Sequence, residues 1–253
     1  MTIAVLGAGR LGSVLTRALR AAGYDVSGPL RREERIPDVD LAILCVPDAA
    51  IGDAAASARP HATRIAHVSG ATGLDGVDLS IHPLQTFTGT EPPEVFHGIG
   101  AAIDGRTEAD LALAERLATS LGMNAFRVDD AHRAGYHAAA SFASNFVLAV
   151  LDAAEELAND VGVERAHLVP LVQRTVENWA ASGAAPVLTG PIARGDARTL
   201  ARQRAAVDEH APHLNDLFDD LVNATRALAS RTPATTAITT GGAESTVSEG
   251  NDV

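Results

Sequence analysis

The stretch Val5-Leu6-Gly7-Ala8-Gly9-Arg10-Leu11-Gly12 decides how this chain is read. It follows the apolar run Ile3 to Leu6 and opens an amphipathic run from Arg10 to Ala22. Strand, glycine turn and helix in that order are the setting in which a dinucleotide lies on a helix N-terminus. Gly7 permits the tight turn, Gly9 lets a pyrophosphate approach the backbone, and Gly12 lets the helix pack close to its strand. The N–H groups at the helix start, from Arg10, Leu11 and Gly12, then face the phosphates, and the helix dipole adds attraction.

Outward from that turn, 253 residues with 46% apolar side chains bury a sizeable core. No run approaches the ~20 apolar residues of a membrane helix, and the chain goes straight into a strand, so a cytoplasmic protein with no membrane contact is expected. A formal charge of −12, with no basic stripe and no interleaved aromatics, excludes nucleic acid as the expected partner. All 20 basic residues are arginine. The absence of lysine removes every mechanism that needs a catalytic lysine. The single cysteine, Cys45, lies in the apolar run Leu41 to Val46 and reads as a buried, inert thiol.

From Ile3 to Val128 short apolar runs alternate with helix-like segments. Strands are expected at Ile3–Leu6, Asp25–Ser27, Leu41–Val46, Ile65–Val68, Ser80–Ile81, Ala101–Ile103 and Ala125–Val128, and helices at Arg10–Ala22, Ala49–Ala58 and Glu108–Leu121. Strands apolar on both faces and separated by helices predict an α/β fold, a Rossmann-type doubly wound parallel sheet over residues 1–128. A smaller all-α domain follows over 129–231, with a Thr/Ser/Gly-rich tail at 232–253 expected to be disordered.

The end of the second strand selects the cofactor. An NAD site places an acid there for the ribose hydroxyls. Here the strand continues Ser27-Gly28-Pro29-Leu30-Arg31-Arg32, without the acid and with two arginines suited to a 2′-phosphate, so NADP(H) is expected. Other strand ends carry Val46-Pro47-Asp48, Val68-Ser69-Gly70 and Ile81-His82-Pro83-Leu84-Gln85-Thr86-Phe87. Ligands lie beyond the carboxyl ends of such strands. Val46, Pro47 and Ser69 are therefore expected at the cofactor, Gln85 at the substrate, and His82 either at the substrate or on a neighbouring carbonyl.

Past Val128 the pattern is helical. One helix of about 30 residues is predicted from Asp130 to Asp160, with Phe142, Phe146, Val150, Leu157 and Val161 on an apolar stripe and small residues at Ala138–Ala140, Ala143 and Ser144. Two packable faces on one helix predict a homodimer built on this domain. His137, Ser141 and Asn145 recur every four residues and share a face. Reducing a carbonyl puts negative charge on oxygen and requires a proton donor with hydrogen-bond donors beside it. His137 is the expected acid, with Ser141 and Asn145 holding the oxygen or orienting the donor. In the loop Leu188-Thr189-Gly190-Pro191-Ile192-Ala193-Arg194-Gly195-Asp196, Arg194 is the candidate to grip a substrate carboxylate, or else pairs with Asp196. His210 and His213 flank Pro212 with no further ligand in sequence, and no metal site is expected.

These strings, His82-Pro83-Leu84-Gln85-Thr86-Phe87 and Thr189 to Asp196 above all, resemble the Rossmann-like proteins with a helical C-terminal domain of unknown function. The resemblance covers about residues 1–230. Some relatives are similar to an alternative class of ketopantoate reductase, and the architecture is similar to the superfamily of β-hydroxyacid dehydrogenases and pyrroline-5-carboxylate reductases. The resemblance implies NADPH-dependent reduction of a small 2-oxo acid, ketopantoate first. A related substrate, imine or hydroxy acid, and a non-catalytic NADP-binding sensor are the alternatives. The hydroxyacid dehydrogenases carry Lys and, four residues on, Asn where Ser141 and Asn145 stand, so their proton donor does not carry over and His137 is its substitute.

Overall fold

The computed structural model describes residues 1–231; the expected tail at 232–253 lies outside them. A seven-stranded sheet contains β1 (Thr2–Leu6), β2 (Asp25–Leu30), β3 (Val39–Leu44), β4 (Ala62–His67), β5 (Leu79–Pro83), β6 (Gly100–Gly105) and β7 (Asn124–Arg127) in the order β2-β1-β3-β4-β5-β6-β7. Helices α1 (Arg10–Ala21), α2 (Ile51–Ala58) and α3 (Glu108–Ser120) connect strands of this sheet. Ile3, Val5, Leu41 and Ile43 are buried on it, with Val14, Leu15 and Leu19 of α1 packed into the same core. Each such side chain contributes about 1.5–3 kcal/mol. This is the Rossmann-like α/β sheet expected from the alternating runs.

The sheet is not parallel throughout. β6 runs antiparallel to β5, with Ile81 opposite Ile103, and β7 is parallel to β6. A parallel partner needs a crossover long enough to climb back over the sheet, usually a helix. Residues 84–99 hold only a short 3₁₀ turn at Pro93–Phe96, so the chain returns beside β5 in the opposite sense. The second strand also runs on to Leu30, past the expected end at Ser27, which carries its pairing with β1 up to the glycine turn.

The helical run predicted from Asp130 to Asp160 is two helices, α4 (Arg133–Ala143) and α5 (Asn145–Asp160). The chain breaks at Ser144, with φ −132° and ψ −76°. The Ser144 hydroxyl donates to Ala140 O at 2.8 Å and also lies 2.8 Å from Asn145 Oδ1, the kind of local bond by which serine competes with helix geometry. By length and composition Arg133–Asp160, 28 residues containing an 18-residue window of mean hydropathy 1.2, meets the requirement for crossing a membrane, contrary to the expectation that no run approaches it. The polar residues His137, Ser141 and Asn145 and the break at Ser144 interrupt that run.

The described residues divide into two compact units, Met1–Leu148 and a second that begins at Ala149. The first therefore extends past residue 128, the boundary expected from the end of the β/α alternation, because α4 belongs with the sheet. The second contains the rest of α5, then α6 (Arg165–Ser182), α7 (Ala184–Val187), α8 (Ala197–His210) and α9 (Asn215–Ala229). Arg165 holds Glu155 through bonds of 2.7 and 2.8 Å, tying the start of α6 to α5.

Candidate functional site

Two cavities open beside the glycine turn, both lined by residues of the first unit. The turn itself is shaped by close approach. Gly7 has φ +111°, and a Cβ on Gly12 would stand 1.9 Å from Gly7 O. Cys45, partly buried where full burial is expected, lies beneath, 3.1 Å from the same hypothetical atom, and desolvation pushes its thiol up to about 12. No side chain caps α1 at Gly9, so its first N–H groups remain available to a ligand.

The first cavity, of about 580 Å³, is lined by Gly7, Ala8, Arg31, Arg32, Val46 and Pro47 among others. Arg31 N donates to Glu34 Oε2 at 2.7 Å, which folds the loop after β2. Among the described residues neither Arg31 nor Arg32 forms a side-chain ion pair, so both exposed guanidinium groups are free for a phosphate. A Cβ at Gly9 would meet nothing within 4 Å, which leaves room over the helix start for a pyrophosphate. The uncapped helix and that open space fit a nicotinamide dinucleotide, and Arg31 and Arg32 line the same cavity.

The second cavity, of about 770 Å³, brings together Arg10, His82, Gln85, His137, Ser141 and Asn145. Five of these are expected catalytic or substrate residues, drawn from β5, the loop after it, α4 and the first residue of α5. The break at Ser144 does not remove Asn145 from the face shared by His137 and Ser141. Arg10, expected at the cofactor, supplies the guanidinium of this cavity. Leu11 packs against the hydrophobic core. Ser69 lines neither cavity; its hydroxyl accepts from Ala71 N and Thr72 N at 3.1 and 3.0 Å and shapes the turn after β4.

Two residues that the sequence reading did not single out organise this cavity. Arg133, 2% exposed, donates to Ser80 Oγ on β5 and to Ser69 O, and pairs with Asp130 at 3.1 Å. It fastens α4 to the turn after β4 and to the start of β5. Tyr136 Oη lies 2.7 Å from His82 Nδ1. Burial, with His137 and Arg133 adding positive charge nearby, pushes His82 down to about 4, and burial pushes the Tyr136 phenol up to about 12. Both are therefore uncharged at neutral pH. The available signal was spacing, since Arg133 precedes His137 by one helical turn.

In the second unit Arg194 is exposed in the loop between α7 and α8, where Gly190 and Gly195 have positive φ. Asp196 makes no ion pair with it among the described residues; it caps α8, accepting from Thr199 N at 3.0 Å and Thr199 Oγ at 2.7 Å. His210 and His213 each face a carboxylate of α5, Asp160 at 3.8 Å and Glu156 at 3.3 Å.

The family described as "Domain of unknown function (DUF2520)" matches residues 99–225. The chain belongs to the DUF2520 family. No curated protein matches this DUF2520 chain by sequence. Its fold recurs in crystal structures, among them a protein of Bacteroides fragilis assigned as an NADP oxidoreductase, with TM-score 0.78, 21% identity, and 89% of this chain and 98% of that one covered. The TM1727 protein of Thermotoga maritima gives a TM-score of 0.70 at 23% identity, covering 90% and 98%. A 1-pyrroline-5-carboxylate reductase of Streptococcus pyogenes gives 0.58 at 16% identity, covering 90% and 98%. At these identities the likeness of the DUF2520 chain to all three is one of fold.

Proposed function

We propose that this DUF2520 protein is an NADPH-dependent reductase of a small 2-oxo acid, with ketopantoate (2-dehydropantoate) as the leading substrate. The observation that carries the reading is the pair of cavities on the glycine turn. One holds Arg31 and Arg32 at the end suited to a 2′-phosphate, and the other gathers His82, Gln85, His137, Ser141 and Asn145. When bound, NADPH supplies a hydride to the carbonyl carbon. The chain's residues then meet the charge that develops on the carbonyl oxygen. His137 delivers the proton to that oxygen, in a protein that contains no lysine to do so. Ser141, one turn along α4, donates a hydrogen bond beside it. Asn145 has its Oδ1 beside the Ser144 hydroxyl, which leaves its amide N–H groups for the ligand.

Arg10 meets the carboxylate in this cavity. The part proposed for Arg194 is tested separately, through the KM of an Arg194→Ala protein. The reading includes a soluble cytoplasmic homodimer. Phe142 (69% exposed) and Leu148 (65%) in the first unit, and Leu171 (66%) and Trp179 (57%) in the second, are large apolar side chains that a second copy would cover. A monomeric mass by light scattering at micromolar concentration refutes the dimer.

The test of function is NADPH oxidation with a panel of 2-oxo acids, ketopantoate included, and of cyclic imines. Wild-type protein is expected to reduce a 2-oxo acid, and His137→Ala to lower kcat by about 10²–10⁴. Reduction of imines alone reassigns the substrate. Tight NADPH binding with no turnover of either class supports a cofactor sensor instead.

A further inference from the structure

We propose that Tyr136 is a positioning residue that holds His82 as the uncharged tautomer with its proton on Nε2, so that His82 donates a hydrogen bond to the substrate atom that gains negative charge. The inference rests on the reductase reading and adds to it a second polar group with a different task from that of His137.

The geometry carries it. His82 is the penultimate residue of β5, and its Nδ1 lies 2.7 Å from Tyr136 Oη, with the rings edge to face at 5.6 Å and 85°. Phe126 of β7 packs on the other side of the tyrosine, edge to face at 5.9 Å. Among the described residues this is the phenol's one hydrogen-bond contact; the shared proton is assigned to the phenol, which donates to Nδ1 and leaves the neutral imidazole its own proton on Nε2. Nε2 has no protein partner. No buried side-chain nitrogen or oxygen among the described residues lacks one, so Nε2 is reached from the cavity that His82 lines. A Cβ on Gly70 would stand 2.9 Å from His82 Cε1, 3.0 Å from Nε2 and 2.9 Å from His137 Cδ2. Glycine at that position leaves the edges of both imidazoles open.

The surroundings keep the ring uncharged. Burial is the largest cause, and His137 and Arg133 of α4 and His67 of β4 all oppose protonation, with Asp48 after β3 as the opposing acid. A neutral N–H is a weak acid, suited to hydrogen bonding rather than proton transfer. As hydride arrives at the carbonyl carbon, the C=O electron pair moves onto oxygen. His82 keeps its proton and shares it with that oxygen, and His137 gives up the proton that completes the alcohol. Arg133, fastened to Ser80, holds α4 so that Tyr136 reaches His82.

The experiment is two-dimensional NMR of the full chain with ¹⁵N-labelled histidine, with and without NADPH, His82 being assigned by the signal lost in His82→Gln. Wild type is expected to show the Nε2–H tautomer alone, uncharged at pH 5.5. In Tyr136→Phe the Nδ1–H tautomer appears, the ring protonates at higher pH, and kcat falls about tenfold with the KM for NADPH unchanged. The acid limb of the kcat profile moves up in step. His82→Leu is expected to lose about 10²-fold in kcat, as for removal of one oxyanion donor. A wild-type ring that is charged or Nδ1–H at neutral pH overturns the proposal even if Tyr136→Phe does not fold. So does a Tyr136→Phe protein with unchanged tautomer and kcat profile. Absence of all turnover overturns the reductase reading and the catalytic task of His82 with it, whereas the tautomer is read independently.

Discussion

Two glycines three residues apart make opposite predictions. A Cβ on Gly12 would stand 1.9 Å from Gly7 O, and reaching even 3.0 Å means that α1 and the turn part by about 1 Å. The obstruction is backbone, which cannot rotate away, and Val14, Leu15 and Leu19 of the same helix are buried in the core that must follow. Overpacking costs about 1–3 kcal/mol, here at the upper end. Alanine recovers about 1 kcal/mol through its helix propensity. Gly12→Ala is therefore expected to lose about 2 kcal/mol of stability. Gly9 stands at φ −75°, a conformation open to any residue, and its Cβ would meet nothing within 4 Å. Gly9→Ala is expected to change stability by no more than about 0.5 kcal/mol. The space that its methyl enters is the one assigned to the pyrophosphate, so its Kd for NADPH is expected to rise about tenfold or more, about 1.4 kcal/mol. Urea denaturation and calorimetric titration with NADPH read the two quantities separately. A Gly9→Ala protein that binds NADPH as tightly as wild type refutes the placement of the dinucleotide, and a fully stable Gly12→Ala refutes the close packing.

Arg31→Ala/Arg32→Ala is expected to weaken NADPH binding by about tenfold to a hundredfold, with NADH affinity unchanged; an equal effect on both cofactors rules out a 2′-phosphate contact. His82, held near 4 in the folded protein against 6.5 free, makes the unfolded chain the better proton binder between those values, so stability falls as pH drops through that window. The loss between pH 7 and pH 5 is about 2 kcal/mol, measured by denaturation at each pH, and is expected to shrink in His82→Gln. Arg133→Ala leaves a void, a buried serine hydroxyl short of a partner and α4 unfastened. About 3 kcal/mol of stability is expected to go, with loss of the His82–Tyr136 contact visible in the histidine NMR spectrum.

Much of the sheet was legible because its strands are short apolar runs between helices, and apolar runs announce themselves whatever their direction. Direction itself was not legible. Nothing in Ala101 to Ile103 distinguishes a strand running up from one running down; only the missing helix between residues 84 and 99 does so. The break at Ser144 escaped for a related reason. Serine and asparagine are merely mediocre helix formers, the apolar period continues across them, and the local hydroxyl bond to Ala140 O is a choice of rotamer that leaves no mark in the sequence pattern.

The site was legible where polar residues stood out on an apolar background, as His137, Ser141 and Asn145 do at one-turn spacing. Arg133 and Tyr136 were not, because at the start of a helix a charge and a phenol look like ordinary solvated residues. Their burial inverts that reading. An arginine 2% exposed must be held by partners that repay its desolvation, and those partners here are Asp130, the turn after β4 at Ser69 and Ser80 at the start of β5. The same positive charge that fastens the helix also stands close enough to His82 to oppose its protonation. One residue thus positions the catalytic face and adds to the burial that keeps the imidazole opposite it uncharged, so geometry and electrostatics in this cavity cannot be altered independently at Arg133.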